Sequence, residues 1–461
     1  MSGRETEIAG QVVELVGRLA DPAAQAEVTV TRTDAALTRF ANSFIHQNVA
    51  ESTVSIRLRL HTDGRTATGS GSLTSPDGLR ELVERTLVAA RLCPPDPGWP
   101  GLVPPTPTPA APTPDEATAY AEPDERAARV RAFVDAAGGL ETAGYCRTSH
   151  QAAAFANTAG HTAWGRMAEA AMDGIARAGG VDGMARLAAD RLADLDGAAL
   201  GARAAGRARS GVDPVELPPG RYEVVFEPAA VADLLANLAM YGFNGKAYAE
   251  RKSFAELGAA QFDRAVSLLD DPLAASGLPV DTEGTARHAL PLVTAGTTGA
   301  VTHDRRTAAA TGAASTGHGS LDSPTFGPFP RTVRLLGAAG AAPAADTAAG
   351  AVVDPDTAAL VAGVGRGLLV CDLWYTRVLD PKALTVTGLT RNGVWLIEDG
   401  VVTRPVRDLR FTQAYPRALA PGAVLGVGRV ALRQPDRTAD TWWSAPPLRL
   451  AEWNFTGGAS G

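Results

Sequence analysis

The sequence predicts an α+β protein: an N-terminal α/β domain of mixed sheet plus helices, followed by a strand-rich C-terminal domain with a barrel-like or sandwich-like β core and few helices. Three observations predict it. Val54, Ile56, Leu58 and Leu60 alternate with Ser55, Arg57, Arg59 and His61, the period-2 signature of a half-buried strand. Leu79, Leu82, Val83, Leu87 and Ala90 fall on one stripe of a helix opened by Pro76-Asp77. Past Pro218-Pro219-Gly220 the texture changes to strand-rich sequence punctuated by glycine turns.

Taken in order, residues 1–93 form a first α/β layer: an amphipathic helix over Glu5 to Leu19, a strand over Glu27 to Thr33, and a strand pair over Thr53 to Ser72 turned by Asp63-Gly64. The helix from Pro76 to about Leu92 completes it. Residues 94–114, PPDPGWPGLVPPTPTPAAPTP, cannot form a helix because proline lacks the amide and fixes φ, so an extended surface strap is expected. Nothing basic flanks it, which favours a strap over a signalling ligand. Residues 115–217 complete the N-terminal domain with a helix near Glu125 to Ala137, β segments Gly144 to Ala156 and His161 to Ala171, and an alanine-rich helix from Asp182 to Arg209. The C-terminal domain, 218–461, opens with a strand at Arg221 to Phe226 and a helix over 228–241. A series of strands follows, one of them running Gly393 to Gly400 and turning toward Val401 and Pro405.

The 461 residues suffice for two or three domains, and 45% hydrophobic with 20% charged residues is an ordinary soluble balance. A net charge of -7 repels phosphate backbones, and no cluster of Lys or Arg is interleaved with aromatics, so nucleic acid is not expected as a partner. Cys93, Cys146 and Cys371 are odd in number and far apart, which indicates neither a disulfide framework nor a zinc ribbon and fits a reducing cytoplasm. Met1 to Gly10 has no apolar core of an export signal, and no stretch is apolar enough to span a membrane. A cytoplasmic location without a membrane partner is expected.

The common catalytic signatures are missing. Gly69-Ser70-Gly71-Ser72 does not lead straight into a helix, as a nucleophile elbow must, and Gly363 to Gly367 precedes a strand and lacks the third glycine of a dinucleotide loop. The seven histidines include no two within one helical turn; the nearest grouping is His288, His303, Asp304 and His318. Carboxylates pair at Asp270-Asp271 and at Asp281 with Glu283, where Asp-Asp-Pro reads first as a turn or cap.

A resemblance then enters at residues 222–242. YEVVFEPAAVADLLANLAMYG resembles the segment that carries the zinc motif His-Glu-x-x-x-His in the TldD/PmbA family of heterodimeric peptidases. LLDDP (268–272), DTEGTA (281–286), STGHG (315–319), GLLVCDL (367–373), NGVWLIEDGVVTRPV (392–406) and PLRLAEWNFTG (447–457) look like the later landmarks of that family. TRFANSFIHQN (38–48), GRTATGSGS (64–72) and ANTAG (156–160) resemble its first domain.

The departure from the motif is informative. Ala236 stands at the first zinc histidine, Asn237 at the general-base glutamate and Tyr241 at the second histidine. Alanine offers no donor atom, asparagine no basic carboxylate, and a protonated phenol is a poor ligand. No cysteine follows Cys371 to supply the further ligand of the catalytic kind. A five-residue spacing turns about 140° around an ideal helix, so a zinc helix must be distorted. Relieved of that demand, the segment is expected to form an ordinary packed helix.

The resemblance therefore implies a metal-free, TldE-like subunit with no catalytic residues and no cofactor of its own. Its partner would be a zinc-bearing TldD-like subunit, and the pair would cleave peptides or unfolded segments. Asn244, Lys246 and Arg251, just after the degenerate helix, and Thr316 and His318 are the candidate substrate-binding residues, because these positions flank the metal motif in the family. The rivals are a stand-alone hydrolase with a different metal at His288, His303 and His318, and a non-enzymatic peptide-binding homodimer.

Overall fold

A computed structural model describes residues 3–339, 352–435 and 441–458, without the side chains of residues 275 and 276. The helix Arg4–Leu19 buries Ile8, Ala9, Val12, Leu15 and Val16, and the helix Pro76–Leu92 is started by Ser75, whose hydroxyl accepts from the amide of Gly78 at 3.2 Å. Their apolar stripes pack with Val28, Val30, Ile56, Leu58 and Leu60 on one face of a sheet. The strands are longer than the sequence suggests, Gln25–Ala41 pairing antiparallel with Phe44–Thr62. Their turn is made by Asn42 and Ser43, with φ 50 and 63, which a search for Asn-Gly or Asp-Gly passes over. Residues 46–53 of the second strand are exposed on both faces, so the alternation that marks a strand is absent there.

The alanine-rich stretch corrects one expectation. A single helix over Asp182 to Arg209 is not formed. Val181–Ala189 is a strand, turned back on Thr162–Ala178 by Gly179 and Gly180 with φ 55 and 78, and the helix covers only Gly197–Ser210. Alanine suits both states once buried, so packing decides. A Cβ on Gly183 would lie 2.1 Å from the carbonyl oxygen of Ala204, so this glycine lets the helix seat on the strand.

Among the described residues these strands belong to a 12-stranded sheet. From the edge strand Arg65–Gly71 it runs through Phe44–Thr62, Gln25–Ala41, Glu141–Asn157, Thr162–Ala178 and Val181–Ala189, and then takes in short strands from beyond Pro218: Leu432–Gln434, Trp443–Ala445, Val333–Leu335, Leu268–Asp270, Leu290–Thr294 and Thr297–Thr298. A second sheet closes on itself. Arg366–Asp380, Gly220–Phe226, Leu448–Gly458, Leu409–Ala414 and Thr385–Glu398 are neighbours in that order, and the last pairs with the first, making a five-stranded barrel.

The barrel core centres on Trp453, which contacts Phe226, Phe411 and Tyr415 at centroid separations of 4.7, 5.3 and 5.5 Å. Outside it, residues 94–114 form no strand or helix and bind both halves of the chain. Trp99 stacks on His61, and the carbonyls of Pro100 and Gly101 accept from Arg305 at 2.8 and 2.5 Å.

Trp453→Ala should destabilise the protein by about 3–5 kcal/mol through the cavity it leaves. The check is the urea midpoint of the near-ultraviolet circular dichroism transition; an unchanged midpoint would contradict the central role of this ring.

Candidate functional site

The segment Pro228–Asn237 is an α-helix buried between the barrel and the strands Trp443–Ala445, Leu432–Gln434 and Val333–Leu335, with Ala230, Val231, Leu234 and Leu235 in the core. It does not continue as an ordinary helix to Tyr241. Leu238–Gly242 is a π-turn, closed by the amide of Phe243 donating to the carbonyl of Leu238 at 2.9 Å. The expectation of an undistorted helix is corrected here. Its surroundings hold the wider turn: the Phe243 ring packs against Phe254 and Phe262, and a Cβ on Gly242 would lie 2.2 Å from the Phe254 ring.

The side chains at the three motif positions do not fit zinc. Ala236 and Tyr241 are half-buried against the apolar core. Asn237 is buried and spends its amide on Asp233, donating to the backbone carbonyl at 2.9 Å and to Oδ2 at 3.3 Å. Asp233 also accepts from Thr376 at 3.0 Å and from the phenol of Tyr415 at 3.1 Å. The Cys371 thiol is buried, and burial pushes it well above its ordinary value, away from the thiolate a metal requires. Among the described residues no three His, Cys, Asp or Glu side chains are grouped to hold a metal ion. His288, His303, Asp304 and His318 form no such group: His303 Nδ1 lies 3.2 Å from the Thr307 hydroxyl, His318 Nε2 lies 2.7 Å from Asp270, and His288 is exposed.

The candidate substrate-binding residues separate into two sets. Asn244 is a cap: Oδ1 accepts from the amides of Lys246 and Ala247 at 2.9 and 3.1 Å, and Nδ2 donates to the carbonyls of Phe326 and Met240 at 2.7 and 3.0 Å. Lys246 Nζ donates to the carbonyls of Pro324 and Thr325 at 2.9 Å. Arg251 is exposed with a left-handed φ of 58. Thr316 holds the backbone of His303 through its hydroxyl, at 2.7 and 3.1 Å. Of the five, only His318 lines the cavity described next.

That cavity, of about 390 Å³, lies between the sheet face opposite the two N-terminal helices and the loops around residues 281 and 317–322. Loop 281–285 is built on Asp281, whose Oδ1 accepts from the amides of Glu283 and Thr285 at 2.9 Å and whose Oδ2 accepts from the amide of Gly319 at 2.7 Å. Gly284, with φ 80, brings this loop against the Phe155 ring; a Cβ there would lie 2.8 Å from it. Asp270 is fully buried and accepts from Thr332 at 2.8 and 2.9 Å as well as contacting His318, so it anchors a strand end to the cavity wall and is more than a turn residue. Thr29, Thr31, Thr33, Ser55, Arg57, Arg287 and Arg331 also line the cavity and were not singled out from the sequence, although the alternation through 54–61 had already set Ser55 and Arg57 on the polar face.

Beside the cavity, Arg59 joins the two halves of the chain. Its guanidinium contacts Glu283 Oε1 at 3.1 Å and is hydrogen-bonded to Glu27 Oε2 at 2.6 Å. Burial pushes the Glu27 carboxyl up to about 7 against the pull of Arg59. Burial and the nearby Glu283 push Asp281 up to about 7 as well, against the amides of Gly319 and Thr285 and the charge of Arg287.

Because the folded pKa values exceed the unfolded ones, the contribution of Glu27 and Asp281 to stability is fully present below about pH 4 and is lost as pH rises through 7. Glu27→Gln should therefore flatten the fall in stability between pH 5 and 8, read from urea midpoints at the two pH values. Arg59→Met should cost about 3 kcal/mol at pH 8 and less at pH 5, where the carboxyls it leaves behind can protonate. An equal loss at both would contradict the assignment.

Comparison with known proteins places this architecture. The fold is similar to that of TldE from Thermococcus kodakarensis, with a TM-score of 0.83 at 19% identity over 98% of this chain and 100% of that one. It is also similar to a candidate modulator of a DNA gyrase from Thermotoga maritima, TM-score 0.79 at 17% identity over 98% and 99%. A third, a candidate modulator of DNA gyrase from Bacteroides thetaiotaomicron, gives 0.76 at 18% identity over 98% of each chain. No curated protein sequence matches the chain. Residues 219–457 match the PmbA/TldA metallopeptidase C-terminal domain, more than half of the chain, and the chain therefore belongs to the TldD/PmbA family.

Proposed function

We propose that this chain is the metal-free, TldE-like subunit of a two-subunit peptidase whose other subunit is a TldD-like relative carrying zinc. The observation that carries the reading is the segment 236–241. It keeps the π-turn that a five-residue ligand spacing calls for, yet presents Ala236, Asn237 and Tyr241, which together offer no metal donor set. The chain's role is to complete the chamber in which the partner cleaves peptides or unfolded segments, so it contributes walls and contacts and no chemistry.

Strand Phe44–Thr62 supplies a surface for such contacts. Arg65–Gly71 pairs with it only from Ile56 onward, so among the described strands residues 44–55 leave one edge open. An open edge accepts a further strand through main-chain hydrogen bonds, from the partner or from an extended substrate. Among the described residues no helix is long and apolar enough to cross a membrane. The proposed place of action is the cytoplasm, where free thiols such as Cys93, Cys146 and Cys371 stay reduced.

The test is co-expression with the zinc-motif relative from the same genome. Zinc and peptidase activity are expected only in the co-purifying pair, and both should survive Asn237→Ala in this chain while activity disappears when the motif glutamate of the relative is replaced. Stoichiometric metal and peptide cleavage by the lone chain would overturn the reading.

A further inference from the structure

The sheet face toward the cavity consists of polar rungs. Arg57 stands opposite Thr29 and Ser55 opposite Thr31 across one strand pair, and Gln151 stands opposite Thr33 across the next. This is the face on which a soluble sheet places solvated residues, but here the C-terminal loops cover it and leave a space of about 390 Å³, enough for a small ligand. The hydroxyls of Thr29, Thr31, Thr33 and Ser55 make no hydrogen bond among the described residues, although each lines this space. Four donors aimed into one cavity are available to a ligand.

The charges around the cavity are matched except at one point. Arg331 lies 3.6 Å from Asp322 and rests on the Phe329 ring at 4.4 Å. Arg287 faces the charge of Asp281, whose proton affinity it lowers. Arg57 has no carboxylate or other acceptor among the described residues, and it projects from the strand beside Ser55 and Thr29. An arginine fork flanked by hydroxyls matches the geometry of a carboxylate. Asp281 and Asp322 on the opposite wall disfavour a dianion, so the charge balance suits a single negative charge and not phosphate.

We propose that this cavity is a binding site for a monocarboxylate, the C-terminal carboxylate of a peptide or a small free acid, with Arg57 as its charge partner and the hydroxyls of Thr31 and Ser55 as donors. The apolar remainder of the ligand lies against Leu278 and Leu321. The site belongs to this chain alone and does not depend on pairing with a zinc-bearing relative.

Titration calorimetry on the purified full chain tests it, using N-acetyl-trialanine with a free carboxylate, the same peptide as its C-terminal amide, and propionate. The free peptide acid should bind, the amide should bind about ten-fold more weakly or worse, and Arg57→Gln should reproduce that loss for the acid. Thr31→Val, close in shape, should cause a smaller loss of a few-fold. Propionate binding as tightly as the peptide acid, and lost equally in Arg57→Gln, would support the site and identify the small acid as its source. Equal affinity for acid and amide, unchanged affinity in a folded Arg57→Gln protein, or no binding of either acid up to about 10 mM would overturn the proposal. Because Arg57 is exposed and makes no hydrogen bond or ion pair among the described residues, its replacement is expected to leave the circular dichroism spectrum intact.

Discussion

One guanidinium joins the halves of this protein. Arg59 projects from the polar face of an N-terminal strand, meets Glu27 on the neighbouring strand, and reaches Glu283 in a loop 224 positions away in sequence. Two carboxylates with that cation between them can stay ionised away from water only while it is in place; without it each must take up a proton or remain an uncompensated buried charge. Trp99 of the proline-rich strap lies against the Arg59 guanidinium at 4.9 Å, which shields the contact further. The cavity walls follow from this arrangement: the loop that carries Glu283 also carries Asp281, and Asp281 holds the amide of Gly319 in the opposite wall.

A second buried pair sets the helix Pro228–Asn237. Arg207, from the helix Gly197–Ser210, places one nitrogen, Nη2, 2.5 Å from both carboxylate oxygens of Glu227, and Glu227 directly precedes the helix Pro228–Asn237. Burial raises the Glu227 carboxyl and Arg207 opposes that rise. The helix entry is thus tied to the N-terminal half, while its exit is held by the π-turn against Phe254. A segment pinned at both ends keeps its shape when the side chains between them change.

Much of the architecture was legible in the residues. Stripes of period 3.6 located the first two helices, and alternation located the strand ending at Thr62. The family motifs marked the helix at 228 and the loops at 281 and 315. What failed were places where local pattern and packing disagree. Asp182 to Ala189 has helical composition but is a strand, because Gly179-Gly180 reverses the chain and the sheet supplies a partner. Asn244 and Lys246 were singled out because they flank the motif positions in the family, yet their polar atoms are consumed by helix ends and loop carbonyls, a use that only neighbours distant in sequence reveal.

The sequence by itself determined the class of fold, the family, and the residue types Ala, Asn and Tyr at positions 236, 237 and 241, since each depends on residue type and short-range spacing. Tertiary structure alone decided that the short strands of the C-terminal half extend the N-terminal sheet, that five others close into a barrel, and that a polar strand face lies over a cavity instead of in solvent. Pairings of this kind join residues hundreds of positions apart. They follow from the shape and charge of surfaces that do not exist until the chain has folded, and no periodicity along the chain encodes them.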